Sequence, residues 1–166
     1  MLYQVDDRVV HATYGVGRVV GVVTRQFTAA EARQYYEIAL ERSTVWVPTE
    51  AASSAELRLL TPKAELERYR VVLQSRPATL TADHRQRRLE ITNRLKTGSL
   101  QTLCEVIRDL TARSWRKALN EMDAAGLRKA REVVCREWAA ADGVPYLSAV
   151  QEIDALLLAC RQKHLS

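Results

Sequence analysis

Long apolar runs are missing from this sequence. No stretch approaches the roughly 20 residues that a membrane-crossing helix needs. The opening MLYQVDDRVV has no basic segment followed by an apolar core. Neither a membrane span nor a secretory leader is therefore expected, and a cytoplasmic location is the default. Cysteine is scarce too. Cys104, Cys135 and Cys160 are widely spaced, with no CxxC and no histidine pair beside them, and each sits among apolar residues at helical spacing. That pattern speaks against a metal site or a disulfide framework and for buried reduced thiols. The three histidines, His11, His84 and His164, fall in different elements. No serine or cysteine stands in an activating motif, no Walker loop or zincin pattern is found, and no acidic cluster could hold a catalytic metal. The Gly15-Val16-Gly17 of TYGVGRVVG is a fragment of a phosphate loop at best. No helix follows it to supply an N-terminus, so it reads as a hairpin turn. No catalytic residue, cofactor or metal is expected, and the chain does not read as an enzyme. Internal repeats and low-complexity segments are absent as well.

What is present is an ordinary globular balance. The 166 residues are 47% hydrophobic and 27% charged, which argues for folded structure rather than disorder. The net charge is +5, unevenly distributed. Residues 1–60 hold six arginines against seven acidic residues, a net of −1, whereas residues 61–166 hold nineteen Lys or Arg against thirteen acidic residues, a net of +6. If either part meets a polyanion, it is the second. A charged helical surface accounts for the same excess without any ligand.

The two parts also differ in period. In residues 1–60, Val9-Val10, Val19-Val20 with Val22-Val23, Tyr35 to Leu40, and Val45-Trp46-Val47 are short β-branched and aromatic runs punctuated by glycine and polar residues. Arg42-Ser43 makes a tight connection between two of them, and Pro48 ends the last. Four or five short strands in so few residues suggest a small SH3- or Tudor-like β-barrel, because so small a sheet must curl to bury one face.

Beyond Leu60 the pattern is helical. Thr61-Pro62 is a helix start, with Thr61 as cap, followed by a stripe of Leu66, Tyr69, Val72 and Leu73. After Pro77, Thr81 is placed to cap a second helix running to about Lys96, where Gly98 stops it, with a thin stripe of Leu89, Ile91 and Leu95. A third helix carries Leu100, Leu103, Val106, Ile107 and Leu110. A fourth starts at Asn120, with Asp123 three residues on in a variant of the capping box, and carries Met122, Ala130, Val133, Val134 and Trp138. Ser148 with Gln151 opens a fifth, with Val150, Ile153, Leu157 and Cys160 inward. The expected fold class is α+β by domain: a β-barrel over 1–60, then a compact all-α domain of about five helices over 61–166.

Two basic clusters lie on those helices. His84-Arg85-Gln86-Arg87-Arg88 puts three arginines in four residues, followed by Arg94 and Lys96, with only Glu90 opposing them. A phosphate backbone would relieve the repulsion; so would salt bridges to the third and fourth helices. The fourth helix adds Arg128, Lys129, Arg131 and Arg136. Nothing here reads base edges, so any DNA binding should be weak in sequence preference. In the β part, Trp46 points opposite to Val45 and Val47. With the valines in the core it is exposed and suggests a protein partner; the reverse arrangement makes Trp46 the core residue. Trp115 and Trp138 are expected to pack between helices.

The order of these features resembles the CarD/CdnL family of bacterial transcription regulators. The resemblance rests on VDDRVVHATYGVGRVVGVVTR, on VWVP before residue 50, and on LKTGS, VIRDL and LRKAREVV, and it spans almost the whole chain without large insertions. It implies that residues 1–60 form a Tudor-like domain that docks on the β subunit of RNA polymerase. Arg25 falls where the family has a polymerase-contacting arginine, and Trp46 where some members have another basic residue. The resemblance further implies that the helices contact promoter DNA at the upstream edge of the −10 element, where the family uses a tryptophan wedge against the minor groove. Counting back from LKTGS, that position is His84, preceded by Asp83. An imidazole is smaller than indole and titrates near a pKa of about 6.5. Arg85, Arg87, Arg88 and Lys129 remain to neutralise phosphates. The expected protein is thus a monomer, located with polymerase at the nucleoid, that stabilises the open complex. A rival reading is a protein–protein adaptor that uses the barrel and the helices for two protein partners and no DNA.

Overall fold

The computed structural model describes residues 2–27, 31–50, 56–96 and 98–164. The chain separates into two compact units, residues 1–60 and residues 61–166.

In the first unit the described residues form one five-stranded antiparallel sheet from β1 (Arg8–His11), β2 (Gly15–Arg25), β3 (Arg33–Ala39), β4 (Thr44–Pro48) and β5 (Leu57–Leu59). The strand order is β4-β3-β2-β1-β5. Strands β1 to β4 follow one another as hairpins, and β5 returns to pair with β1. The ladder is open, with β4 and β5 at its edges. Strand alternation turns Tyr36, Ile38 and Val47 inward to join Tyr3, Val9, Val19 and Leu57 in the core. Arg42-Ser43 does make the β3–β4 turn, where the Leu40 N–H donates to the Ser43 carbonyl at 2.8 Å. The two glycines of GVG have separate roles. Gly15 leaves the β1–β2 turn at a φ of +83°, a left-handed conformation that favours glycine. Gly17 lies within β2 opposite Val9, where a Cβ would stand 2.7 Å from Ile38 Cγ2. It is a close-packing residue, not a turn residue.

In the second unit, a 3-10 turn (Lys63–Glu65) leads into α1 (Leu66–Gln74), followed by α2 (His84–Lys96), α3 (Leu100–Ser114), α4 (Glu121–Asp142) and α5 (Tyr146–His164). The main core joins Leu66, Tyr69 and Leu73 of α1, Leu103 and Ile107 of α3, Val134 and Trp138 of α4, and Ile153 and Leu157 of α5. Helix α2 touches a smaller cluster through Ile91, against Val106 and Leu110. Asn120 caps α4 as the sequence predicts, accepting from the Asp123 N–H at 2.8 Å.

Three caps differ from expectation. Thr61 does not cap; its hydroxyl is taken by the buried Glu137. Asp83, not Thr81, caps α2, accepting from the amides of Arg85 (2.8 Å) and Gln86 (3.3 Å), while Thr81 bonds Glu90. Helix α5 starts at Tyr146, so Ser148 lies in its first turn and donates its N–H to the Pro145 carbonyl. The causes are local: the Asp83 carboxylate outcompetes the Thr81 hydroxyl as acceptor, Thr61 turns its hydroxyl to donate to Glu137, and Pro145 fixes the start of α5. Leu89 and Met122, read as inward, are 65% and 51% exposed. All three cysteines are buried and unpaired, and burial pushes each thiol upward.

Candidate docking and nucleic-acid faces

The outer face of the sheet follows from its register. Residues directly opposite share a face, and the pairs Arg25↔Arg33, Val23↔Tyr35, Glu37↔Trp46 and Tyr35↔Pro48 put Arg25, Arg33, Tyr35 and Trp46 on the side away from the core. Because Val47 is buried, Trp46 is the outward residue of its strand, 38% exposed. Phe27 leans over both aromatics, 4.9 Å from the Tyr35 ring and 5.9 Å from the Trp46 ring. Arg25 and Arg33 are both exposed, and they face each other as like charges. Among the described residues no ion pair relieves either one. Like charges directly opposite cost stability that a partner's carboxylate would return. The face therefore combines an aromatic platform, an arginine pair with no ion-pair partner among the described residues, and Glu37 beside Trp46, a combination suited to protein recognition.

On the helical unit, α2 presents His84, Arg85, Arg88 and Leu89 outward. Neither Arg85 nor Arg88 is ion-paired to a carboxylate among the described residues, and His84 stands beside Asp83. Asp83 is turned to the helix end, where the amides of Gln86 and Arg85 hold its carboxyl below the usual range. Arg87 departs from the expected set. It is 3% exposed, its Nε donates to Asp123 Oδ2 at 2.9 Å, and its Nη1 donates to the carbonyls of Thr81 (2.9 Å) and Ala82 (3.1 Å). A guanidinium so occupied is not open to a phosphate. The helical period explains it: Arg87 shares the inward stripe of Ile91 and Leu95, four and eight residues on.

The basic residues of α4 also divide. Arg128 and Lys129 are exposed, with no carboxylate partner among the described residues. Arg131 is bridged to Asp154, and Arg136 to Glu132 at 3.2 Å while lying over the Tyr146 ring. A groove of about 330 Å³ runs between these side chains, lined by Arg128, Arg131, Glu132, Arg136 and Tyr146 over Cys135 and Val150.

Two family models match the chain. The CarD-like/TRCF RID domain covers residues 3–61, and the CarD C-terminal domain covers residues 70–154. The chain belongs to the CarD family. It is also 29% identical over 145 residues to a protein of Bacillus subtilis (strain 168) named "Putative transcription factor YdeB", a match covering 86% of this chain and 94% of that relative. Among the described residues no helix is long and apolar enough to cross a membrane.

The sequence singles out Arg25 and Trp46 on the sheet; Arg33 and Tyr35 join them only through the β2–β3–β4 register, and Phe27 only through its ring contacts. Salt bridges from α2 to the third and fourth helices, the alternative left open in the sequence, do form at Arg94–Asp109 and Arg87–Asp123, but which arginine and which carboxylate pair is not legible there. A spacing of 36 residues carries no local signal.

Proposed function

We propose that this CarD-family transcription regulator docks on the β subunit of bacterial RNA polymerase through its β2–β3–β4 face. Its α2 helix, with the first turns of α4, contacts promoter DNA at the upstream edge of the −10 element and stabilises the open complex. The observation that carries the docking half is the exposed Arg25–Arg33 pair, without an ion-pair partner among the described residues, beside Trp46, Tyr35 and Phe27, with Glu37 on the same face. The DNA half is supported by the exposed Arg85, Arg88 and Lys129, which have no ion-pair partner among the described residues, with the exposed His84 beside them. Anchoring on polymerase raises the local concentration of the helical unit at the promoter, so modest DNA affinity suffices. Phosphate contacts of this kind position the protein without reading sequence. His84 occupies the wedge position with an exposed imidazole in place of an indole, so wedging is weaker than phosphate binding in this chain.

The test is open-complex lifetime with cognate polymerase, comparing the wild type with Arg25→Glu and His84→Trp. The wild type prolongs the lifetime, Arg25→Glu abolishes the effect, and His84→Trp extends it further. A wild type that binds polymerase but shifts no duplex DNA at low salt favours the adaptor reading instead. A wild type that binds neither overturns both halves.

A further inference from the structure

Helix α2 is held to its unit by a thin apolar stripe with an ion pair near each end. Of its thirteen residues only Arg87 and Ile91 are buried. At its N-terminal end the Arg87 guanidinium reaches Asp123 in the first turn of α4, and the two side chains are each 4% exposed. At its C-terminal end Arg94 lies 3.6 Å from Asp109 of α3, whose other oxygen accepts from Arg108 (2.9 Å) and from the Ala78 amide (3.0 Å). Between the two tethers Ile91 packs against Val106 and Leu110, and next to Arg94 the partly buried Leu95 packs against the same cluster and the main core.

Two aliphatic contacts on one narrow stripe, Ile91 and the partly buried Leu95, hold a helix against a core but set its rotation about the axis only loosely. A guanidinium fixed by one carboxylate and two carbonyls sets it more tightly, because its planar fork accepts few orientations. Buried ion pairs add little net stability for the desolvation they require, so the consequence of this one is geometric. At 3.6 residues per turn, His84, Arg88 and Arg85 lie about 60°, 100° and 160° round the axis from Arg87. Fixing Arg87 therefore fixes all three.

We propose that the Arg87–Asp123 pair is a positioning latch: it sets the rotation of α2, and with it where His84, Arg85 and Arg88 meet DNA, without touching DNA itself. The inference rests on the DNA-binding reading above and adds the residues that orient it.

The decisive variant is Asp123→Asn in the full chain. Removing an acidic residue from a DNA-binding surface ordinarily strengthens binding; a broken latch weakens it. Affinity for a labelled promoter duplex is expected to fall about tenfold, a change of about 1.4 kcal/mol. Amides of residues 84–96 exchange faster with solvent, while those of α3 and α5 keep their protection. Arg87→Lys, which keeps the charge and loses the fork, falls between wild type and Asp123→Asn. Unchanged or tighter DNA binding by a folded Asp123→Asn overturns the proposal. If α3 and α5 also lose protection, Asp123→Glu takes its place. It retains the charge at a longer reach, weakens DNA binding if the latch is real, and leaves it unaltered if not. Should the wild type bind no duplex at all, the DNA reading fails by itself. Amide exchange then decides the latch, and unchanged exchange in α2 of Asp123→Asn rules it out.

Discussion

Thr61 donates its hydroxyl to Oε2 of Glu137 at 2.6 Å, and its backbone N–H reaches the same oxygen at 3.2 Å. The two residues are 7% and 1% exposed and 76 residues apart in sequence. The contact pins the entry to the helical unit against the C-terminal half of α4. A carboxylate buried this deeply depends on its donors. Thr61→Val keeps the shape and removes the hydroxyl, so it should destabilise the helical unit by about 1–3 kcal/mol, measured by urea unfolding. Thr61→Ser, which keeps the donor, should lose much less. Equal stability of the valine variant and the wild type would show that the contact contributes nothing.

His11 makes the β unit sensitive to acid. Its Nδ1 accepts the amides of Thr13 (3.0 Å) and Tyr14 (3.3 Å) in the β1–β2 turn, so it must be unprotonated. Burial pushes the imidazole below its ordinary value, with Glu56 opposing more weakly. When the folded pKa lies below the unfolded one, the unfolded chain takes up the proton first. Stability is therefore full above the unfolded value of about 6.5, declines as pH falls through it, and levels off below the native value. Unfolding followed on the amide signals of β1 to β3 at about pH 8 and about pH 5 should show that decline, and His11→Asn, whose carboxamide oxygen can accept at any pH, should reduce it. An identical pH response in the variant would assign the acid sensitivity to other groups.

The fold was legible in the sequence wherever the signal was local. Period-2 runs marked β1 to β4, period-3.6 stripes marked α1, α3, α4 and α5, and Asn120 announced its helix. The three-residue β5 is too short to carry a period, and whether four or five strands close into a barrel depends on edges far apart in sequence. The site was half legible for the same reason. Charge density identified α2, but charge counting treats Arg85, Arg87 and Arg88 alike. Only the position of Arg87 on the stripe of Ile91, and a carboxylate from another helix, separate an anchor from two free cations. Trp46 could be placed outward only once Val47 was known to be buried.

Trp46 should matter for binding and little for folding. It lies on the outer face with Phe27 and Tyr35, whereas its neighbour Val47 is 3% exposed in the core. Trp46→Ala should weaken polymerase binding by about 2 kcal/mol, the scale of an aromatic hot spot. Its unfolding midpoint should stay near that of the wild type. Val47→Ala should do the reverse, losing roughly 1–3 kcal/mol of stability through a core cavity. Titration of polymerase, with urea melts of the same preparations, checks both. A Trp46→Ala variant that binds as tightly as wild type would move the docking surface elsewhere.

Arg88 and Arg87 are adjacent in sequence and opposite in exposure, and salt dependence can test whether they differ in role. Each phosphate contact releases condensed counterions, so removing one lowers the slope of log K against log salt by about 0.9. Arg88 is exposed, with no carboxylate partner among the described residues, and Arg88→Ala should lower the slope by about that amount with little effect on stability. Lys129→Ala should do the same. The double variant should lose about twice as much if both contact the backbone at separate phosphates. Arg87→Ala, by contrast, strands the buried Asp123 carboxylate and should cost about 3–5 kcal/mol of stability, a loss visible without any DNA present. If Arg88→Ala leaves the slope untouched while affinity falls, the side chain acts on something other than a phosphate, and α2 does not track the backbone as proposed.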